Sequence, residues 1–226
     1  MDGVVAERCF APGQDLEANL RERGEPLFSL ESQTPLSSFD IIGISMPYEL
    51  TFTNMLNIID LAGIPLWQKD RLENHPLIIT GGTGSFNPEP YADFVDAVGI
   101  GDGEEMIVDI ALAVLRWKEK NRMDHICENK IQDSRTEVLN DLAMIEGLYV
   151  PSFFAPQYKE DGTLSEVKPL KPGYMGIKKR IVADLNAQPY PTQLIVPNIK
   201  LVHDRIGIEI QRGCTRMCRF CQAGYI

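Results

Sequence analysis

Three short runs with no charged side chain inside them govern what this chain can become. They are Ile41-Ile42-Gly43-Ile44-Ser45-Met46, which follows Asp40; Leu77-Ile78-Ile79-Thr80-Gly81-Gly82; and Ala97-Val98-Gly99-Ile100-Gly101. Each is apolar continuously rather than alternately, so both faces have to be covered, as in a parallel sheet flanked by helices. Between the runs lie segments that read as helices. Asp15 to Arg23 is short and polar and ends at Gly24, Thr51 to Leu61 is amphipathic and closes at Gly63, and Asp102-Gly103-Glu104-Glu105 opens a helix continuing to about Asn121. Val4 to Phe10 reads as a further strand. Strands alternating with helices over residues 1–124 predict an α/β, doubly wound sheet of Rossmann type.

Residues 125–200 read as a connector. Ser134 to Glu137 has the capping-box pattern of a helix that aligns Leu139, Leu142 and Ile145 and stops at Gly147. Tyr149 to Tyr158 is an extended segment, Asp161-Gly162 a hairpin turn, and Glu166 to Leu170 the returning strand. Pro189, Pro191 and Pro197 disfavour helix between Asn186 and Asn198 and suit an ordered crossover. Beyond it, Ile206-Gly207-Ile208-Glu209-Ile210 alternates as a strand does, and Arg212-Gly213 releases the chain into a loop.

That loop carries the chemistry. Cys214, Cys218 and Cys221, three of the chain's five cysteines, fall within eight residues at C-x3-C-x2-C spacing. Soft thiolates select iron–sulfur clusters, zinc or Cu(I), and three ligands from one loop hold three corners of a cubic cluster while leaving the fourth iron open. A structural zinc site brings cysteine pairs from separated segments and closes with a fourth ligand; no second pair exists, although His203 is a conceivable fourth ligand. Three neighbouring thiols do not make a disulfide framework. Glycine runs at Gly81-Gly82-Thr83-Gly84 and at Gly101 and Gly103, with Glu104 beside them, are candidate cradles for a phosphate or nucleotide tail, or else tight exits from buried strands.

The thiolate loop resembles the cluster motif of the radical S-adenosylmethionine (SAM) enzymes, C-x3-C-x-aromatic-C, with Phe220 in the aromatic place. The resemblance implies a [4Fe-4S] cluster on Cys214, Cys218 and Cys221, with SAM chelated at the open iron, Phe220 beside its adenine, and reductive cleavage to a 5′-deoxyadenosyl radical. It also implies an electron donor such as flavodoxin or ferredoxin, and a partial (β/α)6 barrel whose first strand is Ile206 to Ile210. Residues 201–226 would then be the start of that barrel, and the chain a piece of a larger enzyme truncated at both ends, inactive alone. Arg212, Arg216 and Arg219 would set positive charge beside the thiolates and favour the reduced state.

The first half resembles the cobalamin-binding-like domain preceding the barrel in one branch of that superfamily. Gly81-Gly82, Asn87-Pro88-Glu89-Pro90, Asp93-Phe94-Val95-Asp96 and Gly101-Asp102-Gly103-Glu104-Glu105 carry this likeness, together with His203-Asp204-Arg205 and Arg212-Gly213-Cys214. The D-x-H-x-x-G string that supplies an axial histidine to cobalamin does not occur, and the domain reads as beginning at its second strand. A corrinoid held without that ligand and a domain that keeps only the fold both remain open. So does the alternative of a non-catalytic zinc- or corrinoid-binding module.

Charge bounds the partners. The net charge is −10, divided as 10 − 3 = +7 from Lys168 onward and 12 − 29 = −17 before it. An acidic first part argues against nucleic-acid binding there, whereas the basic tail admits a phosphate-bearing substrate such as RNA. No apolar run reaches the length needed to span a bilayer, and Met1-Asp2-Gly3 does not open a signal peptide, so a cytoplasmic location without a membrane partner is expected. Cys9 and Cys127 read as isolated small side chains, Trp67 and Trp117 as core-edge rings, and His75 and His125 as structural, while His203 either fixes the barrel's entry strand or touches the cofactor. The substrate is not legible.

Overall fold

The computed structural model describes residues 3–126, 134–190, 192, 205 and 207–224. Its contacts divide the chain into two units, Met1–Ile181 and Val182–Ile226.

In the first unit, the three apolar runs form β1 (Ile41–Ser45), β2 (Leu77–Gly81) and β3 (Ala97–Gly99). They pair in parallel, Ile41 opposite Leu77 and Ile79 opposite Ala97, in a sheet of order β1-β2-β3-β4. The fourth strand, β4 (Leu148–Tyr149), is antiparallel, with Val98 opposite Tyr149. This strand corrects the reading of Tyr149 as the start of a connector segment. Leu148 and Tyr149 are buried in the main sheet, and a strand this short carries no periodicity to reveal it.

Helices cover both faces. Strand residues of opposite parity point to opposite sides, so Ile42, Ile78 and Val98 meet α2 (Phe52–Leu61), through Met55 and Ile59, and the buried Leu20 of α1 (Gln14–Arg23). Leu77, Ile79 and Ala97 meet α3 (Met106–Ile126), through Met106, Ile110 and Val114, and α4 (Ser134–Leu142), through Val138, Leu139 and Leu142. The layering is that of a doubly wound α/β fold. α1 ends as expected at Gly24, whose φ of 65° lets its N–H reach back to the carbonyls of Leu20 and Arg21. α3 runs to Ile126, one turn beyond the expected stop, since nothing at Asn121 breaks it.

Two expectations change in this unit. Val4 to Phe10 joins no strand and is mostly exposed. β1 is not fully buried either: Ile42 is covered but Gly43 is exposed, because β1 is the sheet's edge. Beyond β4, β5 (Phe154–Tyr158) and β6 (Leu164–Pro169) form the expected hairpin around Asp161-Gly162, with Gly162 at φ 80° and Asp161 accepting from the Thr163 N–H.

In the second unit, residues 207–210 form no strand, and Ile208 and Ile210 are 72% and 85% exposed. A parallel strand needs neighbours for its main-chain groups and side chains, and none is present among this unit's described residues. The expected barrel strand is therefore not formed over 207–210. Its Ile206, the crossover prolines Pro191 and Pro197, His203, Asp204, Cys127 and the His125 side chain lie outside the described residues.

Candidate functional site

Strand ends set the position of the first candidate site. Ser45, Gly81 and Gly99 are register partners, so β1, β2 and β3 stop at one level. A cavity of about 350 Å³ opens there beside α3, and among its lining residues are Gly81, Gly82, Gly101, Gly103 and Ile107. Crevices outside the carboxyl ends of parallel strands are where open α/β sheets take ligands. Four glycines from separate runs of the sequence are thus brought together. Glu104 does not line the cavity.

The glycines serve different ends. Gly82 has φ 109°, and a Cβ there would fall 2.9 Å from the Met46 carbonyl oxygen; Gly101 has φ 113°, and its Cβ would fall 2.1 Å from that of Arg180. These two are required by close passage of main chain. At Gly103 a Cβ would meet nothing within 4 Å, and at Gly81 only the Gly99 oxygen at 3.9 Å, so their backbone borders open space. The run Gly81 to Gly84 enters a short 3-10 turn, Thr83–Phe86, not an α-helix, and two N–H groups of that turn are engaged: Gly84 donates to Met46 and Ser85 to Gly82. With no charged or histidine side chain lining the cavity, an anion gains little there. The geometry suits a small uncharged group, and supplies no axial nitrogen to a corrinoid.

Arg180 straps this region. Its N–H donates to the Ile100 oxygen and its carbonyl accepts from the Asp102 N–H, so it pairs with Gly101 as a parallel bridge. Its guanidinium meets Asp109 at 2.6 Å and Glu105 at 3.1 Å, and the Asp109 carboxylate holds it protonated more firmly still. Nothing in the sequence distinguishes this residue from its basic neighbours. On the α4 side, Tyr174 donates to the Leu148 carbonyl and accepts from the Val150 N–H; burial pushes its hydroxyl up to about 12. Tyr149 donates to Glu89, and burial followed by that bond raises its hydroxyl well above the ordinary value.

A buried charge cluster lies elsewhere. The Asp96 carboxylate, fully buried, accepts from Arg71 at 3.0 Å, from Arg135 at 2.9 Å and from the Ile78 N–H at 2.8 Å. The remaining guanidinium donors reach carbonyls: Arg71 those of Pro65, Leu66 and Phe94, Arg135 those of Leu72, His75 and Pro76. Burial pushes Arg71 down and the Asp96 charge pulls it back. Donors this fully used make a staple, not a binding site. The sequence offers Asp93-Phe94-Val95-Asp96 but no cue to the two arginines, which come from segments far apart in the chain. His75 is structural, its Nδ1 accepting from the Leu72 N–H, and Trp67 stacks on Phe94 with centroids 4.7 Å apart.

In the second unit, Gly213 turns the chain at φ 81° and Met217 follows with φ 52°, a left-handed value few non-glycine residues adopt. Cys221 donates its N–H to the Cys218 oxygen at 3.1 Å, and the Arg216 N–H lies 3.5 Å from the Cys214 sulfur. Gly224 closes the loop, since a Cβ there would fall 2.9 Å from the Cys214 oxygen. Cys214 and Cys221 are half-buried, Cys218 is exposed, and Phe220 is 92% exposed. By donor chemistry the set fits an iron–sulfur cluster: three soft thiols on one short loop. Among the described residues, no three His, Cys, Asp or Glu side chains stand close enough together to hold a metal ion. Arg212 pairs with Glu209 at 2.8 Å, which offsets its charge, whereas no such pair forms at Arg216 or Arg219 among the described residues. Cys9, in the first unit, is half-buried, and burial pushes its thiol up, away from the reactive thiolate.

No described helix is long and apolar enough to cross a membrane. No curated protein and no solved structure matches the chain. One family does, described as radical SAM proteins, N-terminal, and the match spans residues 1–151, which takes in the sheet through β4 and stops short of the cysteine loop. With 151 of its 226 residues inside that match, the chain belongs to the radical SAM superfamily through this N-terminal family.

Proposed function

We propose that this chain is part of a radical SAM enzyme that holds a [4Fe-4S] cluster on Cys214, Cys218 and Cys221. The observation that carries the reading is the triad of thiols at C-x3-C-x2-C spacing, downstream of a region belonging to the radical SAM N-terminal family. When bound, the cluster with SAM supplies a 5′-deoxyadenosyl radical for hydrogen abstraction. The residues of this chain do the holding. Each cysteine offers one thiolate, Gly213 and Gly224 allow the turns of the loop that carries them, and Arg216 and Arg219 offset the thiolates' negative charge. Phe220, exposed and next to Cys221, offers a flat apolar face to a ring beside the cluster. The substrate class is not assigned, and a corrinoid is no part of the proposal.

The test is anaerobic reconstitution with iron and sulfide, followed by metal analysis and electron paramagnetic resonance. We expect about four irons per chain and a reduced-cluster spectrum perturbed by SAM. Replacing any one of Cys214, Cys218 or Cys221 by Ala should abolish the cluster, while Cys9→Ala and Cys127→Ala keep it. Full iron content in Cys218→Ala, or stoichiometric zinc with no iron uptake, would overturn the assignment.

A further inference from the structure

At the amino ends of β1 and β2, the opposite end of these strands from the glycine crevice, lies a cavity of about 760 Å³. Its volume is that of a small-molecule site. Asp40, which precedes β1, and Leu77, which opens β2, line it together with Trp117, Lys118, Asn121 and Arg122 of α3, so it belongs wholly to the first unit. Trp117 and Asn121 stand four residues apart on that helix, as do Lys118 and Arg122. An aromatic ring and a carboxamide therefore share one stripe of the helix surface, and two cations the next. Trp117 is partly buried against the α3 side of the core, and Phe39 adds a second ring to the lining. The lining charges cancel. The carboxylates Asp40 and Glu73 equal the cations Lys118 and Arg122 in number, and Asp40 pairs with Lys118 at 2.6 Å. A neutral ligand suits such a lining better than an ion. One atom is out of keeping with the rest: the Asn121 Oδ1 is buried and has no hydrogen-bond partner among the described residues. A buried acceptor without a donor is destabilising, and native proteins keep few of them.

We propose that this cavity binds a neutral aminopurine nucleoside, whose exocyclic N–H donates to the Asn121 Oδ1 and whose ring rests against Trp117 and Phe39. Each part of the ligand answers one property of the lining. The amino group supplies the donor that Asn121 lacks, as a carboxamide pairs with the amino edge of adenine in other settings. The flat ring meets two aromatic side chains. The absence of a phosphate matches the balanced charges, and the volume leaves room for a bicyclic base with its sugar. The binding site so defined needs neither the thiolate loop nor a metal.

The probe is adenosine, added to the full metal-free chain carrying Trp67→Phe, which leaves Trp117 as the sole tryptophan and its fluorescence as a local readout. Adenosine should change that fluorescence saturably. Purine riboside, the same nucleoside without the amino group, should bind about tenfold more weakly, the worth of one hydrogen bond to a buried acceptor. Adenosine monophosphate should bind within about threefold of adenosine, because the lining charges cancel. Asn121→Leu removes the unpartnered oxygen, so the variant should fold with an unchanged or higher thermal midpoint and yet bind adenosine at least about tenfold more weakly. Four results would overturn the proposal: no saturable change at Trp117, equal binding of purine riboside, unaltered adenosine binding by a folded Asn121→Leu chain, or a monophosphate bound tenfold more tightly than adenosine, which would make the phosphate the recognised group.

Discussion

At the scale of single residues, the strongest constraint is a charge that must never be left alone. Asp96 answers two buried guanidiniums, and with the carboxylate gone both Arg71 and Arg135 keep their charge inside the protein. Breaking such a pair costs about 3–5 kcal/mol, far more than the pair itself contributes. Asp96→Ala should therefore lower the unfolding free energy by about that amount in urea titration; a loss below about 1 kcal/mol would show that the cluster is solvated. Glycines give a second contrast at this scale. Gly101→Ala places a methyl group 2.1 Å from the Arg180 oxygen at a φ of 113°, so the strap has to shift, and we expect a loss of at least about 1–3 kcal/mol. Gly103→Ala, with open space around it, should stay within about 0.5 kcal/mol of the parent by the same measurement. Both glycines look alike in the sequence. What separates them is Arg180, far downstream in the chain, and no local pattern reports a contact of that range.

At the scale of elements, α1 shows how a helix with little apolar surface is held. Only its Leu20 is buried, so polar contacts with α2 supply much of the hold. Arg21 bonds Asp60 and Asn57, and Glu17 accepts from Asn57. The Asn57 amide, and then Arg21, hold the Glu17 carboxyl below its ordinary value of 4.5. A depressed carboxyl contributes stability that is fully present above the ordinary value and is lost as pH falls through the folded one. Thermal midpoints of the parent and of Glu17→Gln should accordingly converge as pH is lowered from about 6 to about 3; a constant gap would mean that Glu17 acts through packing alone. This tether is not legible in the sequence, since it joins polar residues of two separate helices. The strands are legible where burial on both faces writes a continuous apolar run, as at Leu77 to Gly81, and misleading where β composition lacks a neighbour. Val4 to Phe10 and residues 207–210 have strand-like composition without a partner to pair with, whereas Leu148–Tyr149 has a partner and too few residues to announce it.

At the scale of the whole chain, the two units differ in what orders them. The first contains both apolar clusters, one on each face of the sheet, and its fold follows from burial. In the second, no described residue is fully buried, and its one compact feature among those residues is the turn that brings Cys214, Met217 and Gly224 together. Hydrophobic burial cannot be what orders such a segment; ligation by three thiolates can, because metal binding to a site that is not preformed appears as folding free energy. A chain ending at Ile181 should therefore unfold in urea with the same midpoint and the same slope as the full chain without metal, since the slope tracks the surface exposed on unfolding. The full chain, once reconstituted with iron and sulfide, should gain protection from proteolysis across residues 207–224 that the metal-free chain lacks. A shallower slope for the shortened chain would place part of the second unit inside the cooperative core, and unchanged proteolysis after iron uptake would show that the loop is ordered without its metal.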